Sequence, residues 1–457
     1  MTTRKERRRE GRALRQQVPR RSHGTWAPSP DRPDPIGLLQ AQDEGRLEHL
    51  LPIKYGRMVE SPFAFLRGSA AVMAADLAST PSTGLQAQLC GDAHLSNFGV
   101  FATPERKLVF DINDFDETYP GPWEWDLKRL AASAVVAGRE SGFADEENRK
   151  LAVAVSRAYR WAIRQLAQMP TLDVWYYHVE ADKVLEVLER SSKKAKKSAR
   201  KMVKKARRRT HAQTLDKLTE EVDGRRRLLN DPPLLVRLSE MVREERAQIT
   251  AQDVETMWRE YLGSLPEERR LLLSRYRIAD GALRVGGVGS VGTRCAILLL
   301  EGGAQDDALI LQQKEAGTSV LESYVTKRDH ASQAQRVVTG QRLMQATSDI
   351  FLGWHEGSLT GTQYYWRQLK DMKGSVDVAT LDEAGLETYL AVCSACLARA
   401  HARTGDAAGI AGYVGKKNAL DKAIADFAVA YADQTERDHQ ALVEAVASGR
   451  IAAETGI

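Results

Sequence analysis

Cys90-Gly91-Asp92-Ala93-His94-Leu95-Ser96-Asn97 follows an alternating, strand-like stretch, Leu85 to Leu89, and precedes a second strand candidate, Lys107 to Ile112. The stretch Lys107 to Glu117 carries three more aspartates, Asp111 within that strand and Asp114 and Asp116 just beyond it. Transfer of a phosphoryl group needs one carboxylate to orient the attacking hydroxyl or accept its proton. It also needs an amide oxygen and a second carboxylate to hold Mg²⁺ on the nucleotide phosphates. Asp92, Asn97 and Asp114 offer that set, with Asp111 a rival to Asp114 because sequence does not fix the strand register. The plain alternative is that Asp92 and Asn97 form a turn and the later acids a solvated loop.

A second constellation lies about two hundred residues downstream. Gly287-Val288-Gly289-Ser290-Val291-Gly292 fits the glycine-rich pattern shared by dinucleotide-binding folds and kinases. A dinucleotide site requires a helix after the glycines, yet Thr293 to Leu300 is short, apolar and strand-like. A Walker loop is disfavoured because Thr293 stands where lysine would follow the last glycine. A glycine turn between two strands suits a flap over phosphates. Lys314, ending the strand Ala308 to Lys314, could then reach those phosphates.

Outward from these motifs, the 457 residues suit two or three domains or one large two-lobed one. Hydrophobic residues at 43% and charged residues at 28% exclude wholesale disorder. No apolar run approaches the roughly 18 to 20 residues of a membrane span, and no apolar segment follows the Arg-rich start as a secretory signal requires. Four scattered cysteines fit a reducing compartment, so the expected location is cytoplasmic. The net charge of +5 is uneven. Residues 1–21 hold nine basic and two acidic residues, and residues 193–209 hold eleven basic and none acidic, so the remainder is about −13.

Residues 1–37 read as a basic, flexible leader interrupted by Pro28, Pro30, Pro33 and Pro35. Helical periodicity dominates from Trp125 to about Arg277, with helices expected over 148–169, 181–209, 214–229, 233–262 and 266–277. Strand-like segments follow at 283–301, 308–314 and 363–369, with a turn over 302–307 and a helix over 332–345. Residues 383–403 and 419–447 are amphipathic helices. The expected fold is therefore α+β: helical block, small antiparallel sheet, helical block.

The motifs resemble the aminoglycoside and choline kinase branch of the protein-kinase-like fold. The resemblance rests on the five-residue step from Asp92 to Asn97, the histidine two places after the aspartate, and Asp114-Phe115-Asp116, which is similar to the metal-binding Asp-Phe-Gly. Asp126 in Trp125-Asp126-Leu127 is similar to the aspartate that braces the catalytic loop in those enzymes. From about Leu38 onward the chain also resembles the uncharacterised bacterial domain-of-unknown-function family 2252. That likeness runs through Cys90 to His94, Asp111 to Glu117, Gly287 to Arg294 and Arg367-Gln368-Leu369. Because the catalytic loop precedes the glycine-rich hairpin, the resemblance implies a circularly permuted, two-lobed kinase-like fold. Residues 38–280 and 371–457 would then make a C-lobe, and 281–370 an N-lobe.

Carried over residue by residue, the resemblance implies Asp92 as catalytic base or hydroxyl orienter, with His94 a proton carrier or a loop-ordering group. It implies Asn97 and Asp114 as Mg²⁺ ligands, with Asp111 the rival. Lys314 would bind phosphate, and Gly287, Gly289, Ser290 and Gly292 would cover ATP. The helix glutamate that pairs with the lysine has no clear match, Glu322 and Glu315 being poor substitutes.

The expected activity is ATP- and Mg²⁺-dependent phosphoryl transfer to a hydroxyl of an unknown small-molecule or protein acceptor. Nucleotidyl (AMP) transfer, or a non-catalytic nucleotide- or nucleic-acid-binding scaffold, are the alternatives. The basic run 193–209 lacks interleaved aromatics, so nucleic acid is not favoured as a partner. Cys393 and Cys396, and Trp123 and Trp125, read as core.

Overall fold

The computed structural model describes residues 2–208, 211–243, 251–304, 307–357, 361–369 and 372–456. Its architecture is α+β, mostly helical, with small antiparallel sheets. Four helices form the centre: Trp123–Glu140, Asp145–Leu166, Glu383–Thr404 and Ala419–Ala447. Their apolar stripes share one core, in which Trp123 stacks on Tyr159 and both Cys393 and Cys396 are buried among aliphatics. The cysteines and tryptophans thus serve packing.

Five short strands border this core: β1 (Gln86–Leu89), β2 (Phe98–Ala102), β3 (Leu108–Ile112), β4 (Tyr119–Pro122) and β5 (Val179–Glu180). β1 pairs with β4, and β3 pairs with β2 and β5. A hairpin of β6 (Thr219–Val222) and β7 (Arg225–Leu228) follows. The main sheet contains β8 (Leu235–Arg237), β9 (Arg277–Arg284), β10 (Cys295–Glu301), β11 (Ala308–Glu315), β12 (Gly353–His355) and β13 (Tyr364–Gln368). Its strand order is β12-β13-β11-β10-β9-β8, antiparallel throughout. The helix Gln333–Met344, capped by Ser332, lies in sequence between β11 and β12.

Period-2 alternation explains the two faces of this sheet. Leu298, Leu300, Leu309, Leu311 and Trp366 pack beneath Tyr261 and Leu273. On the opposite face Ile297, Leu299, Ala308 and Ile310 meet Leu215 and Leu228. Further along that second face the strands carry Cys295, Gln312, Lys314 and Arg367, and here the sheet opens into a cleft.

Three sequence expectations are corrected. The leader is ordered: a helix, Arg4–Ala13, closed by a Thr3/Glu6 capping box, docks on the helix Ala407–Val414. The contact is close enough that any Cβ on Gly11 would run into the Gly409 carbonyl. Three of its arginines bond carbonyls or buried acids. Arg15 and Arg20 cap the last carbonyls of Ala407–Val414, and Arg32 clamps Asp76 and Asp438.

The expected helix over 214–229 ends at Leu218, because Asp223-Gly224, both at positive φ, make the tight turn of the β6–β7 hairpin. Within the helix expected over 233–262, Leu235–Arg237 is strand, and helix occupies Leu238–Arg243 and Ala251–Gly263, with 244–250 outside the described residues. Residues 305–306 of the expected turn and Arg209 of the basic run also lie outside them. The basic run itself is the helix Lys193–Arg208, whose Ala, Met and Val side chains are buried. Arg200 and Arg207 pair with Glu189 and Asp182. No described helix is long and apolar enough to cross a membrane.

A candidate active-site cleft

The Cys90–Asn97 loop is held from below by the long helix Trp123–Glu140. Asp126 accepts the backbone N–H groups of Cys90 at 2.9 Å and Gly91 at 3.1 Å, while Ser133 Oγ accepts that of Leu95. Gly91 is in the left-handed region (φ 80°), and a side chain there would strike the carbonyl of Glu117. Asn97 Nδ2 donates to the Asp92 carbonyl at 2.6 Å, closing the loop on itself.

Asp92 faces the cleft, with Arg129 Nε donating to its Oδ1 at 2.6 Å. Burial raises the Asp92 pKa even though Arg129 and Arg67 pull it down. His94 Nε2 stands 3.5 Å from Asp92 Oδ2, and burial together with the same arginines holds the imidazole far below its usual value. The ring is therefore neutral, and its Nδ1 is buried without a partner.

The β2–β3 hairpin returns the chain to Asp114, Asp116 and Glu117, all lining the cleft. Lys314 ion-pairs with Asp116, and Tyr365 Oη donates to the other oxygen of that carboxylate at 2.7 Å. Burial alone would lift the Asp116 pKa, but Lys314 and Tyr365 outweigh it and hold the carboxyl below its usual value. Among the described residues Asp114 has no such hydrogen-bonded cation, although Lys314 and Arg367 act on it from a distance. Burial and the adjacent Asp116 raise its pKa, and its carboxylate accepts a long hydrogen bond, 3.4 Å, from the Asp116 N–H. Glu117 accepts the Val320 N–H, and burial pushes its pKa to about 7.

Asp111, the rival metal candidate, does not reach the cleft. It points into the helical core, where Arg399 pairs with it. The register settles this: Asp111 lies opposite Gly99 inside the paired strand, and the chain turns towards the cleft only beyond Ile112. Glu315 is taken by the Arg294 N–H and Glu322 by Gln333. The helix Gln333–Met344 contributes Arg336 instead of a glutamate. Arg336 donates to the carbonyls of Thr118, Asp116 and Gly317, so the helix grips the acidic segment, and Asp116 serves as the partner of Lys314.

The glycine stretch forms a short 3-10 turn, Val288–Ser290, between β9 and β10. Gly287, Gly289 and Ser290 line the cleft. Gly292 does not. It provides the left-handed exit (φ 86°), and its carbonyl accepts the Leu47 N–H. The turn is clamped from outside: Arg46 donates to the carbonyls of Gly289 and Val291, and Arg57 to that of Gly286.

The cavity beneath measures about 260 Å³. A neighbouring cavity of about 460 Å³ shares Gln42, Asp116, Glu117, Gly289 and Ser290 with it. Asp92, Asn97, Asp114, Lys314 and the glycine turn thus come together from segments about two hundred residues apart. Arg67, Arg284, Arg367 and Lys373 complete the lining. Arg367 belongs to a stretch legible as a motif, but nothing in the sequence marks Arg67 or Arg284.

Over residues 46–445 the chain matches a family described as an uncharacterized protein conserved in bacteria, DUF2252. The chain belongs to this family. No curated protein and no solved structure matches it. The DUF2252 match spans every cleft residue discussed except Gln42.

Fitness for a divalent cation rests on the donor set. Among the described residues no group of three His, Cys, Asp or Glu side chains could hold a metal in the DUF2252 chain. Mg²⁺, however, takes one or two carboxylates and completes its shell with water and substrate phosphates. Asp114, a half-buried carboxylate with no ion-pair contact among the described residues, and Asn97 beside the same cavity are a donor set of that sparse kind.

Proposed function

We propose that the protein is a kinase-like phosphotransferase that moves a phosphoryl group from ATP to a hydroxyl of an acceptor. The observation that carries this reading is the convergence of Asp92, Asn97, Asp114, Lys314 and the glycine turn on one cleft. Strand order supports it further. The glycine turn joins β9 to β10, the lysine lies on the next strand, and a helix precedes the last two strands, an order that also describes a kinase N-lobe. With the acidic loop coming earlier in sequence, the reading includes a circular permutation.

In this reading Asp92 orients the acceptor hydroxyl and takes its proton. Arg129 fixes the carboxylate through Oδ1, leaving Oδ2 turned towards the neutral His94. Lys314, held by Asp116, places a fixed positive charge where phosphate oxygens would lie, and the clamped glycine turn excludes water above them. Mg²⁺ bound by Asn97 and Asp114 would neutralise charge on the phosphate oxygens. Because Lys314 and Asp116 are already paired, positioning requires no rearrangement of that pair.

The test is product mass after incubation with ATP, Mg²⁺ and fractionated metabolite extract. A phosphate added to an acceptor is expected, and an AMP adduct would show nucleotidyl transfer instead. Asp92→Ala should lower turnover by about 10²–10⁴-fold with ATP binding retained. Turnover at the wild-type rate in that variant would defeat the assignment.

A further inference from the structure

The cleft has two ends of different chemistry. At the loop end lie Asp92, Asp114, Asp116 and Glu117, of which Asp114 and Asp116 face the ammonium of Lys314, together with Arg67. At the sheet end the lining brings together Arg284 of β9, Arg367 of β13 and, beyond β13, Lys373, whose pKa burial and the Arg367 charge push down to about 7, with the neutral Gln312 of β11 beside Arg367. Arg367 and Gln312 are register partners, and Arg367 Nε donates to Gln312 Oε1 at 3.0 Å. Gln312 Nε2 in turn reaches Cys295 Sγ at 3.1 Å. The hydrogen bond of this half-buried guanidinium is therefore made to an amide and not to a carboxylate. The Arg284 guanidinium has no hydrogen-bond or ion-pair partner among the described residues.

The acids nearest this end are Asp114, which also faces Lys314, and Asp349, which is occupied by the backbone N–H groups of Phe351 and Gln368. An aromatic base would be poorly served here. The larger aliphatic side chains in the lining are Val288 and Leu369, and no Phe, Tyr or Trp lines the cavity among the described residues. Planar guanidinium forks beside an ammonium match phosphate oxygens instead.

We infer that the sheet end of the cleft is a second phosphate-binding subsite, in which Arg284, Arg367 and Lys373 hold phosphate groups and not a purine ring. The shared chemistry is a polyphosphate. Its source is either the tail of a nucleotide whose base points away from the sheet, or a base-free polyphosphate. The inference deepens the transfer reading proposed above and rests on it for the role of the ligand as phosphate donor.

The test is calorimetric titration of the full chain with tripolyphosphate, ATP and adenosine, with and without Mg²⁺. Wild type, Arg367→Gln and Arg284→Gln are compared. Tripolyphosphate should bind wild type without any base, and each substitution should weaken it at least about tenfold. Parallel weakening of a tighter ATP complex identifies the nucleotide tail as the source, and tripolyphosphate binding without ATP binding identifies a base-free polyphosphate. Unchanged tripolyphosphate affinity in both variants, or adenosine binding wild type as tightly as ATP does, overturns the inference. Arg284→Gln removes no bond seen in the structure, so its folded state is the control if Arg367→Gln unfolds. Turnover with Arg367-independent binding would remove this subsite alone. Arg367-dependent binding with no turnover of any acceptor would remove the transfer reading alone.

Discussion

At the scale of single residues several cleft acids are held by a named neighbour, Asp92 by Arg129 and Asp116 by Lys314 among them. Arg129 joins Asp92 to the Leu66 carbonyl and is almost fully buried. Replacing it with methionine leaves Asp92 buried without its ion-pair partner, which should cost about 3–5 kcal/mol. Urea unfolding of Arg129→Met measures this, and a loss below about 1 kcal/mol would show that Arg67 alone suffices. Glu117 gives the clearest pH signature. Burial raises its pKa from 4.5 to about 7, so between those values the folded chain binds a proton that the unfolded chain releases. Stability from this group is therefore lost as pH rises from about 4.5 to 7, the opposite of a salt-bridged carboxylate. Glu117→Gln keeps a carbonyl oxygen for the Val320 N–H and removes the titration. Melting temperatures at pH 5 and 7.5 should fall less in the variant than in wild type, and equal falls would place the titrating group elsewhere.

At the scale of elements, the glycine turn is where this molecule departs from an untethered flap. Arg46, from the segment before the helix Leu51–Met58, and Arg57, near that helix's end, bond three of the turn's carbonyls. Arg46→Leu should cost about 1.5–3 kcal/mol of stability and weaken ATP binding several-fold, read by urea unfolding and calorimetry. Unchanged ATP affinity would show that the turn holds its shape alone. The strands after this turn, β10 and β11, were legible because local alternation and glycine punctuation specify them, whereas most of β9 precedes the strand-like stretch expected from 283; the helices Glu383–Thr404 and Ala419–Ala447 were legible because their periodicity is long. The β6–β7 hairpin carried its own signal, Asp223-Gly224, which a periodicity reading overlooks in so polar a segment. The cationic lining was not legible: Arg67, Arg284 and Lys373 acquire meaning only when distant segments meet, and nothing local distinguishes a cleft arginine from a surface one. Asp111 shows the converse, since only strand pairing tells a core acid from a cleft acid.

At the scale of the whole molecule, the two ends of the chain close on the same helical core. Arg32 lies between the helices Ala70–Ala78 and Ala419–Ala447, far apart along the chain: it bonds Asp76 through Nε and Nη2, and Asp438 through Nη1 and Nη2. Tyr431 Oη donates to Asp76 and Gln434 Nε2 to Asp438, so both carboxylates are packed as well as paired. Composition alone casts the first 37 residues as a solvated basic tail, because charge and proline content say nothing of where partners wait. The partners are carboxylates and helix-end carbonyls supplied by residues 76 and 406–438, beyond the reach of any local window. Arg32→Met would leave two nearly buried carboxylates facing one another without their cation, an outcome worth about 3–5 kcal/mol. Arg32→Lys should recover only part of that loss, because one ammonium cannot serve two bidentate partners as a planar guanidinium does. Urea unfolding of the three proteins should rank wild type above Arg32→Lys above Arg32→Met. Equal stability of wild type and Arg32→Met would mean that the segment before residue 35 rests on the core without bracing it.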